Sequence, residues 1–386
     1  MTRVVVTGIG AVSGFGRGAA TLWRGLVEGR RATAAHDALA RAGLDVGPVA
    51  LVPELPFDAA DRAEALARWA ADEALADAGL TRPDTDLALA IGTTKGGIQP
   101  FLAMVRAPGA PGPTPPDRAT YAGTGLSLAR HLGTHGPVEI SSVACTSSNV
   151  AIGNAVDLLR RGEARRVLAG GVDSLTDFVI SGFATLKALD PGPSRPFDRA
   201  RRGLNLGEGA AFLVLEREDD ARARGARIRG AVAGYGVAAD AVHMTGPDRE
   251  GRGAARAIVA ALDEARLAPS AIDFISAHGT GTVFNDLMEG KALALALGAA
   301  APTRPLHSIK SALGHTLGAA GALEAIACVL AIEAGLVPPT AGHAELDPEI
   351  RLDVVAGAAR ALPIRAALST SSGFGGTNAA IVIVAP

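Results

Sequence analysis

The stretch VEISSVACTSSNVAIGNAVDLLRR, residues 138–161, joins an apolar strand to a helix through a turn that carries Cys145. A strand–turn–helix junction of this kind can raise a side chain above the edge of a sheet, and small and hydroxyl residues flank the cysteine. The positive end of the helix dipole lies beneath the turn, so we expect it to lower the pKa of the thiol towards the reactive thiolate. Cys145 is therefore a candidate nucleophile.

A second turn of the same kind follows about 170 residues later in the chain. There His315 precedes a helix predicted for residues 319–333, as Cys145 precedes the helix predicted for residues 147–161. The strands predicted for residues 211–215 and 379–384 are separated by a similar distance. A shared offset is the mark of an internal repeat, so the sequence predicts a duplicated α/β unit, with a cysteine turn in one half and a histidine turn in the other.

Short apolar strands alternate with alanine-rich helices along the chain, which is typical of α/β proteins with buried sheets. The predicted strands cover residues 4–7, 87–91, 138–141, 166–169, 211–215, 273–276, 365–369 and 379–384. The predicted helices cover residues 60–78, 147–161, 253–264, 286–297 and 319–333. Proline and glycine at 107–116 predict a surface loop, and mixed charges at 219–229 predict a solvated connection. We therefore place the two halves at residues 1–225 and 226–386.

The composition excludes several classes of protein. Of the 386 residues, 48% are hydrophobic and 20% are charged, which suits a large folded core rather than a disordered chain. A net charge of −2 gives no electrostatic footprint for nucleic acid. Two cysteines are too few for a disulfide framework. No signal peptide precedes the first strand and no uninterrupted apolar run reaches about eighteen residues, so we expect a cytoplasmic protein without a membrane span.

Two histidines lie in glycine-rich turns from which a side chain can reach a pocket. His278 opens HGTGT at residues 278–282, and His315 ends KSALGH at residues 310–315. The other six histidines show no ligand spacing, and a catalytic zinc takes three protein ligands, so we expect no metal. Cys328 lies in the middle of an apolar helix and is interpreted as a small buried hydrophobic residue.

Four motifs occur in the order seen in elongating β-ketoacyl-acyl carrier protein synthases, and the chain resembles that Cys-His-His class over essentially its whole length. They are the Cys145 turn, HGTGT at 278–282, Lys310 with the GH at 314–315, and GFGGTN at 373–378. SRPFD at 194–198, followed by LGEG at 206–209, resembles a further signature. The resemblance implies a thiolase-like, five-layered αβαβα fold from two pseudo-repeated halves. It also implies a homodimer, or a heterodimer with a paralogous ketosynthase or chain-length-factor subunit.

The resemblance also implies the chemistry. Cys145 would take an acyl group from a carrier thioester, and malonyl-acyl carrier protein would then lose CO2 and attack the acyl carbonyl. The resemblance assigns the enolate oxygen to Nε2 of His278 and of His315. It assigns the acyl oxyanion to the backbone N–H groups of Cys145 and Phe374. No cofactor of the enzyme itself is implied, because the phosphopantetheine arrives on the carrier protein.

Supporting roles follow from the same resemblance. Lys310 and Glu324 would maintain the local field and the histidine geometry, although an ordinary buried ion pair explains them equally well. Lys187 matches a basic position that meets the acidic carrier protein, and Arg62 and Arg68 could assist it, with a solvated helix face as the alternative for the two arginines. The residues expected to bind substrate are Thr280, Thr282, Phe374, Lys95 and Phe183.

Two positions depart from the family pattern. Lys95 stands where a small or apolar residue is usual at the end of the acyl pocket, and an unpaired charge there would cost several kcal/mol. It must therefore point away, line a pocket end that is polar and short, or pair with a partner subunit. Ser372 replaces a common aromatic residue beside Gly373, which would loosen a gate. Both features fit a specialised synthase of polyene or polyketide chains better than a plain fatty acid synthase.

Two other functions stay open at this point. A non-catalytic partner subunit that shapes chain length would share the fold but lack the nucleophile, whereas this chain has Cys145, His278 and His315. A degradative thiolase would need a second reactive cysteine late in the chain, and Cys328 lies in an apolar stripe instead.

Overall fold

The computed structural model describes residues 2–37, 39, 43, 46–57, 59, 61–80, 85–106 and 116–386. The strands are β1 Val4–Ser13, β2 Gly16–Arg17, β3 Val49–Ala50, β4 Ala88–Gly92, β5 Val138–Ser141, β6 Arg166–Asp173, β7 Leu206–Gly207, β8 Gly209–Arg217, β9 Gly230–Ala239, β10 Phe274–Ser276, β11 Pro305–His307, β12 Leu336–Val337, β13 Asp353–Val354, β14 Arg360–Ala361, β15 Ala366–Gly373 and β16 Thr377–Val384.

The helices are α1 Ala19–Val27, α2 Arg62–Asp77, α3 Ile98–Arg106, α4 Gly123–Leu132, α5 Ser147–Arg161, α6 Asp177–Thr185, α7 Glu218–Ala223, α8 Arg252–Ala265, α9 Val283–Leu297, α10 Lys310–Leu313 and α11 Ala320–Ala334. Every predicted strand and helix has a counterpart here, and most ends agree within a few residues, although β1 continues to Ser13, six residues beyond its predicted end. The loop predicted for 107–116 lies outside the described residues, except for Pro116, which begins a 3-10 turn.

The two halves of the chain build their parts of the sheet with the same topology. In the first half β4 lies parallel to both β5 and β6, and β6, β8 and β1 then follow as antiparallel neighbours. In the second half β10 lies parallel to both β11 and β15, and β15, β16 and β9 follow as antiparallel neighbours. The two parts join where residues 4–6 of β1 pair with residues 230–232 of β9. The predicted duplication is therefore present in the sheet.

Three hydrophobic cores separate five layers. The central core packs α5 and α11 between the inner faces of both parts of the sheet. One outer core packs α2 and α4 against the first part, and the other packs α8 and α9 against the second. The resulting order of helix, sheet, helix, sheet and helix is the five-layered fold that was predicted.

The sequence of β8 shows why the strands of this fold are continuous apolar runs. Leu213 and Leu215 belong to the central core, whereas Phe212 and Val214 belong to the outer core beneath α2. Because helices cover both faces of the sheet, alternating polar positions are lost and both sets of side chains are apolar.

The most apolar helix of the fold lies in the central layer. Leu317–Ala334 has a mean hydropathy of 1.8 and could cross a membrane by length and composition, but 78% of this segment is buried inside the fold. A helix that is apolar on all sides is expected where sheets cover it on both sides. This segment is therefore a core helix.

Strand β9 was not predicted, because its glycine and alanine residues give no apolar alternation. The glycines of β9 allow the backbone of α8 to pack closely against the strand. A Cβ atom at Gly234 would lie 2.3 Å from the Ala261 carbonyl oxygen, and one at Gly236 would lie 2.2 Å from that of Ala257. The predicted solvated connection at 219–229 begins as α7 and ends with Arg229 ion-paired to Asp77 and Glu333.

Candidate active site

Cys145 lies in a strained turn between β5 and α5. Ala144 has a φ of 48°, in the left-handed region that residues other than glycine rarely adopt. The Ser147 hydroxyl accepts from the Val143 N–H at 2.9 Å and donates to the Ala144 carbonyl at 2.6 Å. The Thr146 hydroxyl donates to the Val143 carbonyl at 2.6 Å. The hydroxyl residues that flank the cysteine therefore hold the turn in this conformation.

His315 approaches Cys145 from the other half of the chain. Its Nε2 atom lies 3.0 Å from the Cys145 sulfur. The backbone N–H of Leu317 donates to Nδ1 of His315 at 3.1 Å, so Nδ1 carries no proton and the neutral ring carries its proton on Nε2. His315 is therefore a hydrogen-bond donor to the sulfur.

His278 lies beside His315, at the end of β10. The two ring centroids are 5.4 Å apart and the ring planes are nearly perpendicular, at 85°. Burial lowers the pKa of both histidines well below the ordinary value, and the positive charge of Lys310 lowers each further. Both imidazoles are therefore neutral near pH 7, and each can donate one N–H.

The pKa of the Cys145 thiol differs from the prediction. Burial raises the pKa of the Cys145 thiol to about 11, although the nearby Lys310 and Lys95 charges lower it. The prediction that the pKa of this thiol is lowered was wrong, because the loss of solvation at this buried position outweighs the favourable charges. Cys145 therefore rests as a thiol.

Lys310 and Glu324 form a buried ion pair behind the histidines. Their side chains are 2% and 0% exposed, and the ammonium bonds one carboxylate oxygen. The Ser371 hydroxyl donates to the other carboxylate oxygen at 3.2 Å. Burial raises the pKa of Glu324 to about 7, against the opposing effect of Lys310. The pair predicted from sequence is present, and its lysine is close enough to act on the pKa of both histidines.

The loop that carries His278 is held by two carboxylates that the sequence reading did not identify. Glu289 accepts from the backbone N–H groups of His278 at 2.7 Å and of Gly279 at 2.8 Å. Asp286 accepts from the Thr280 N–H at 3.1 Å. Both acids are buried near the start of α9, almost one helical turn apart. Two acids at this spacing directly after a glycine-rich loop were the signal available in the sequence.

Two cavities meet at Cys145. The first, of about 770 Å³, is lined mainly by residues of α3 and α6, and we call it the acyl cavity. The second, of about 450 Å³, contains both histidines and the exposed Lys187, and we call it the entrance cavity. The residues that border both are Cys145, Phe183, Leu186 and Phe374.

The boundary between the cavities is aromatic. The rings of Phe183 and Phe374 are stacked, with centroids 5.8 Å apart. The backbone N–H of Phe374 also bonds the Cys145 sulfur and lowers its pKa. Ser372, which was expected to loosen a gate, donates from its hydroxyl to Oδ1 of Asn378 at 2.7 Å and so links β15 to β16.

The entrance cavity contains the polar residues predicted for a pantetheine arm. Thr280 and Thr282 both line it, and their hydroxyl oxygens are 2.9 Å apart. Lys187 is exposed at its rim. These three residues therefore lie along one path from the surface to Cys145.

Arg62 was wrongly predicted as a carrier contact. Its side chain is fully buried and forms an ion pair with Glu208, with Nε of Arg62 3.1 Å from Oε2 of Glu208. Glu208 also accepts from the Val52 N–H at 2.8 Å. The helical pattern did not reveal this burial, because the partner lies in a distant strand turn. Arg68 is 39% exposed and pairs with Glu64 on the same helix.

Lys95 lines the acyl cavity and is paired within the same chain. Its ammonium lies 3.5 Å from Oδ1 of Asp173 and donates to the Thr94 hydroxyl at 2.9 Å. Burial lowers the pKa of Lys95, and Asp173 opposes that shift. Lys95 therefore does not point away from the cavity, and its charge is paired there by Asp173.

Cys328 is fully buried in α11, and burial raises the pKa of its thiol. It lines neither cavity. Within the described ranges, no three side chains of histidine, cysteine, aspartate or glutamate lie together as a metal site would require.

Comparisons with known proteins agree with this geometry. The family models described as "Beta-ketoacyl synthase, N-terminal domain" and "Beta-ketoacyl synthase, C-terminal domain" match residues 52–221 and 229–344. The chain is 39% identical to a putative polyketide beta-ketoacyl synthase 1 of Streptomyces cyaneus, over 100% of this chain and 98% of that protein. It is 38% identical to 3-oxoacyl-[acyl-carrier-protein] synthase 2 of Synechocystis, over 97% of this chain and 96% of that protein.

A solved structure of the ishigamide ketosynthase/chain length factor is similar throughout. Its TM-score is 0.91 at 38% sequence identity, with 100% of this chain and 99% of that chain covered. The similarity therefore includes the turns that carry Cys145, His278 and His315.

Proposed function

The chain belongs to the β-ketoacyl synthase family, in the thiolase-like superfamily, and from that premise we propose that Cys145, His278 and His315 are the catalytic residues of its condensation reaction. The protein is an acyltransferase that joins an acyl thioester to a malonyl unit with loss of CO2. The observation that carries the assignment is the 3.0 Å contact between Nε2 of His315 and the Cys145 sulfur, at the junction of two cavities.

The first half-reaction transfers the acyl group to Cys145. The sulfur attacks the thioester carbonyl, the bond to the carrier thiol breaks, and an acyl-Cys145 thioester forms. His315 already carries a proton on Nε2, and its Nδ1 accepts from Leu317, so the ring stabilises negative charge on sulfur rather than removing the proton. The proton of the Cys145 thiol leaves with the released carrier thiol. The N–H groups of Cys145 and Phe374 would bind the oxyanion.

The second half-reaction forms the carbon–carbon bond. A malonyl thioester in the entrance cavity loses CO2, and the electron pair of the broken bond becomes an enolate. The neutral Nε2–H groups of His278 and His315 would donate to the enolate oxygen. The enolate carbon attacks the acyl carbonyl, and collapse of the adduct expels the Cys145 thiolate and leaves a β-ketoacyl thioester. Burial keeps both imidazoles neutral, and the charge of Lys310 supports this step because it lowers their pKa further.

The partner that delivers both substrates is an acyl carrier protein. Thr280 and Thr282 would bond its phosphopantetheine arm, and Lys187 at the rim would contact its acidic surface. The enzyme needs no resident cofactor, because thioester cleavage and CO2 loss supply the driving force. We place the protein in the cytoplasm, as a homodimer or paired with a paralogous chain-length-factor subunit. The named ketosynthase/chain length factor supports that pairing.

The acyl chain is of the polyketide or polyene type rather than a plain saturated chain. The support is the charged wall of the acyl cavity at Lys95, together with the name of a similar protein, the putative polyketide beta-ketoacyl synthase 1 of Streptomyces cyaneus. The fatty acid alternative rests on the similarity to the Synechocystis synthase. A subunit that only shapes chain length is disfavoured by the contact between Cys145 and His315, and a thiolase by the burial of Cys328.

Reconstitution tests the proposal. The protein is incubated with an acyl-carrier thioester and followed by intact-mass spectrometry, and malonyl-carrier protein is then added while CO2 and the β-ketoacyl product are measured. We expect a stable acyl adduct and a two-carbon extension. Cys145→Ala should form no adduct, whereas the matched Cys328→Ala should. An adduct on Cys145→Ala would refute the assignment of the nucleophile.

A further inference from the structure

We propose that Lys95 forms a hydrogen-bonding subsite in the wall of the acyl cavity, which binds an oxygen atom of the acyl chain. This inference rests on the proposed function, because it takes the acyl group on Cys145 to lie in that cavity. It names the chemical class of chain, one with a keto or hydroxyl oxygen, that the enzyme accepts in preference to a saturated chain.

The ammonium group of Lys95 has one donor left for a ligand. It carries three N–H bonds, of which one is directed to the Thr94 hydroxyl at 2.9 Å and one to the Asp173 carboxylate at 3.5 Å. No third acceptor lies within hydrogen-bonding distance in the part of the chain that the structure describes. Because Lys95 lines the acyl cavity with Cys145 and is only 12% exposed, the remaining donor can be satisfied there by a ligand.

The position of the ammonium is fixed by its anchor. Asp173 is buried at the end of β6, and its Oδ2 atom accepts from the Thr94 N–H at 3.0 Å, the Thr94 hydroxyl at 2.8 Å and the Gly318 N–H at 2.6 Å. Its Oδ1 atom accepts from the Thr93 hydroxyl at 3.0 Å. A carboxylate with this many donors cannot follow the lysine to solvent. The ion pair therefore holds the ammonium at the cavity wall.

A saturated acyl chain and an oxygenated acyl chain interact differently with the Lys95 ammonium in the cavity wall. A methylene group placed against the free N–H removes water from a cation and returns no hydrogen bond. A keto or hydroxyl oxygen at the same depth accepts that bond, and hydrogen bonds to charged groups are stronger than neutral ones. Buried polar sites of this kind discriminate strongly against a ligand that lacks the matching polar atom.

The test compares acyl pantetheine thioesters of one length, namely octanoyl, 3-oxooctanoyl and 5-oxooctanoyl. The second-order rate constant for acylation of Cys145 is measured for each by intact-mass spectrometry. We expect the wild-type protein to favour at least one oxo chain over octanoyl by at least about tenfold. In Lys95→Met the oxo-to-saturated ratio should fall by about tenfold, and Lys95→Gln, which keeps an N–H donor, should restore part of it.

The ratio separates this subsite from other roles of Lys95. The lysine charge also acts on the pKa of Cys145, but a change in the thiol affects all three thioesters alike and cancels in the ratio. Lys291→Met, which removes a surface lysine paired with Glu250, is the matched control and should keep the wild-type ratio.

Each outcome tests either the Lys95 subsite or the proposed ketosynthase function. Equal rate constants for oxo and saturated chains in the wild-type protein would overturn the subsite and leave the ketosynthase assignment intact, and this comparison holds even if Lys95→Met does not fold. An unchanged ratio in folded Lys95→Met would overturn it as well. Failure of every thioester to acylate Cys145 would instead contradict the proposed function.

Discussion

The sulfur of Cys145 lies 3.0 Å from Nε2 of His315, although the two residues are 170 positions apart in the sequence. Each stands in the turn before a central helix, α5 for Cys145 and α11 for His315. Because the two halves share a strand topology and their central helices lie in one layer, equivalent turns are brought face to face. The duplication of the fold therefore produces the contact that we propose to be catalytic.

The two histidines should differ in their effect on acylation. His278→Ala and His315→Ala should each lose malonyl decarboxylation by about 10²–10³-fold, since each removes one donor to the enolate. Only His315→Ala should also slow acyl transfer, because His315 alone bonds the Cys145 sulfur. Release of CO2 and formation of the acyl adduct are measured separately. Wild-type decarboxylation in either variant would remove that histidine from the mechanism.

Alkylation of Cys145 by iodoacetamide should rise with pH beyond pH 9. Because the pKa of the Cys145 thiol is about 11, the thiolate fraction grows about tenfold per pH unit at pH values below the pKa. The charged groups that act on this thiol are Lys310, Lys95 and Asp173, and the neutral His315 donates to it.

The same alkylation assay tests the charge of Lys310. Removing the Lys310–Glu324 pair as Lys310→Met/Glu324→Gln takes away the cation that lowers the pKa, so the profile should move to higher pH and the rate at pH 8 should fall. The double variant leaves no unpaired buried charge behind. A profile that levels off near pH 8 in the wild-type protein would contradict the buried thiol.

Arg62 should contribute to folding rather than to carrier binding. Arg62→Ala leaves Glu208 buried without its cation, which typically costs about 3–5 kcal/mol of unfolding free energy. Arg68→Ala, on the same helix but 39% exposed, should cost no more than about 1 kcal/mol. Urea denaturation of both variants measures the difference. Similar stabilities for the two would show that the buried pair contributes little.

Lys187 should act on carrier-bound substrates more than on small ones. Lys187→Glu reverses a charge at the rim of the entrance cavity, so an acidic carrier protein is repelled. We expect KM for the acyl-carrier protein to rise about tenfold more than KM for the corresponding pantetheine thioester, with a smaller effect at high salt. Lys291→Glu is the control on another surface. An equal change for both substrates would place Lys187 in a different role.

The local sequence determined where the nucleophile and both histidines stand. A turn between a strand and a helix is encoded by neighbouring residues, so the Cys145 and His315 turns and the HGTGT loop were visible without a structure. The same holds for the duplication, because an internal repeat is a property of the sequence. The five layers and the position of Glu324 beside Lys310 were expected from the resemblance to elongating β-ketoacyl-acyl carrier protein synthases, and the structure contains both.

The tertiary structure decided the electrostatics. From the sequence, Arg62 was interpreted as a surface residue, and Lys95 had no identifiable partner. The structure places Glu208, from a distant turn, beside Arg62, and it places Asp173 beside Lys95. The Cys145 thiol was expected to ionise readily, yet burial raises its pKa. Burial and pairing depend on residues far apart in the chain, and the free energy of a charge depends on what surrounds it. Only the packed fold therefore settles which charges are paired and which groups are neutral.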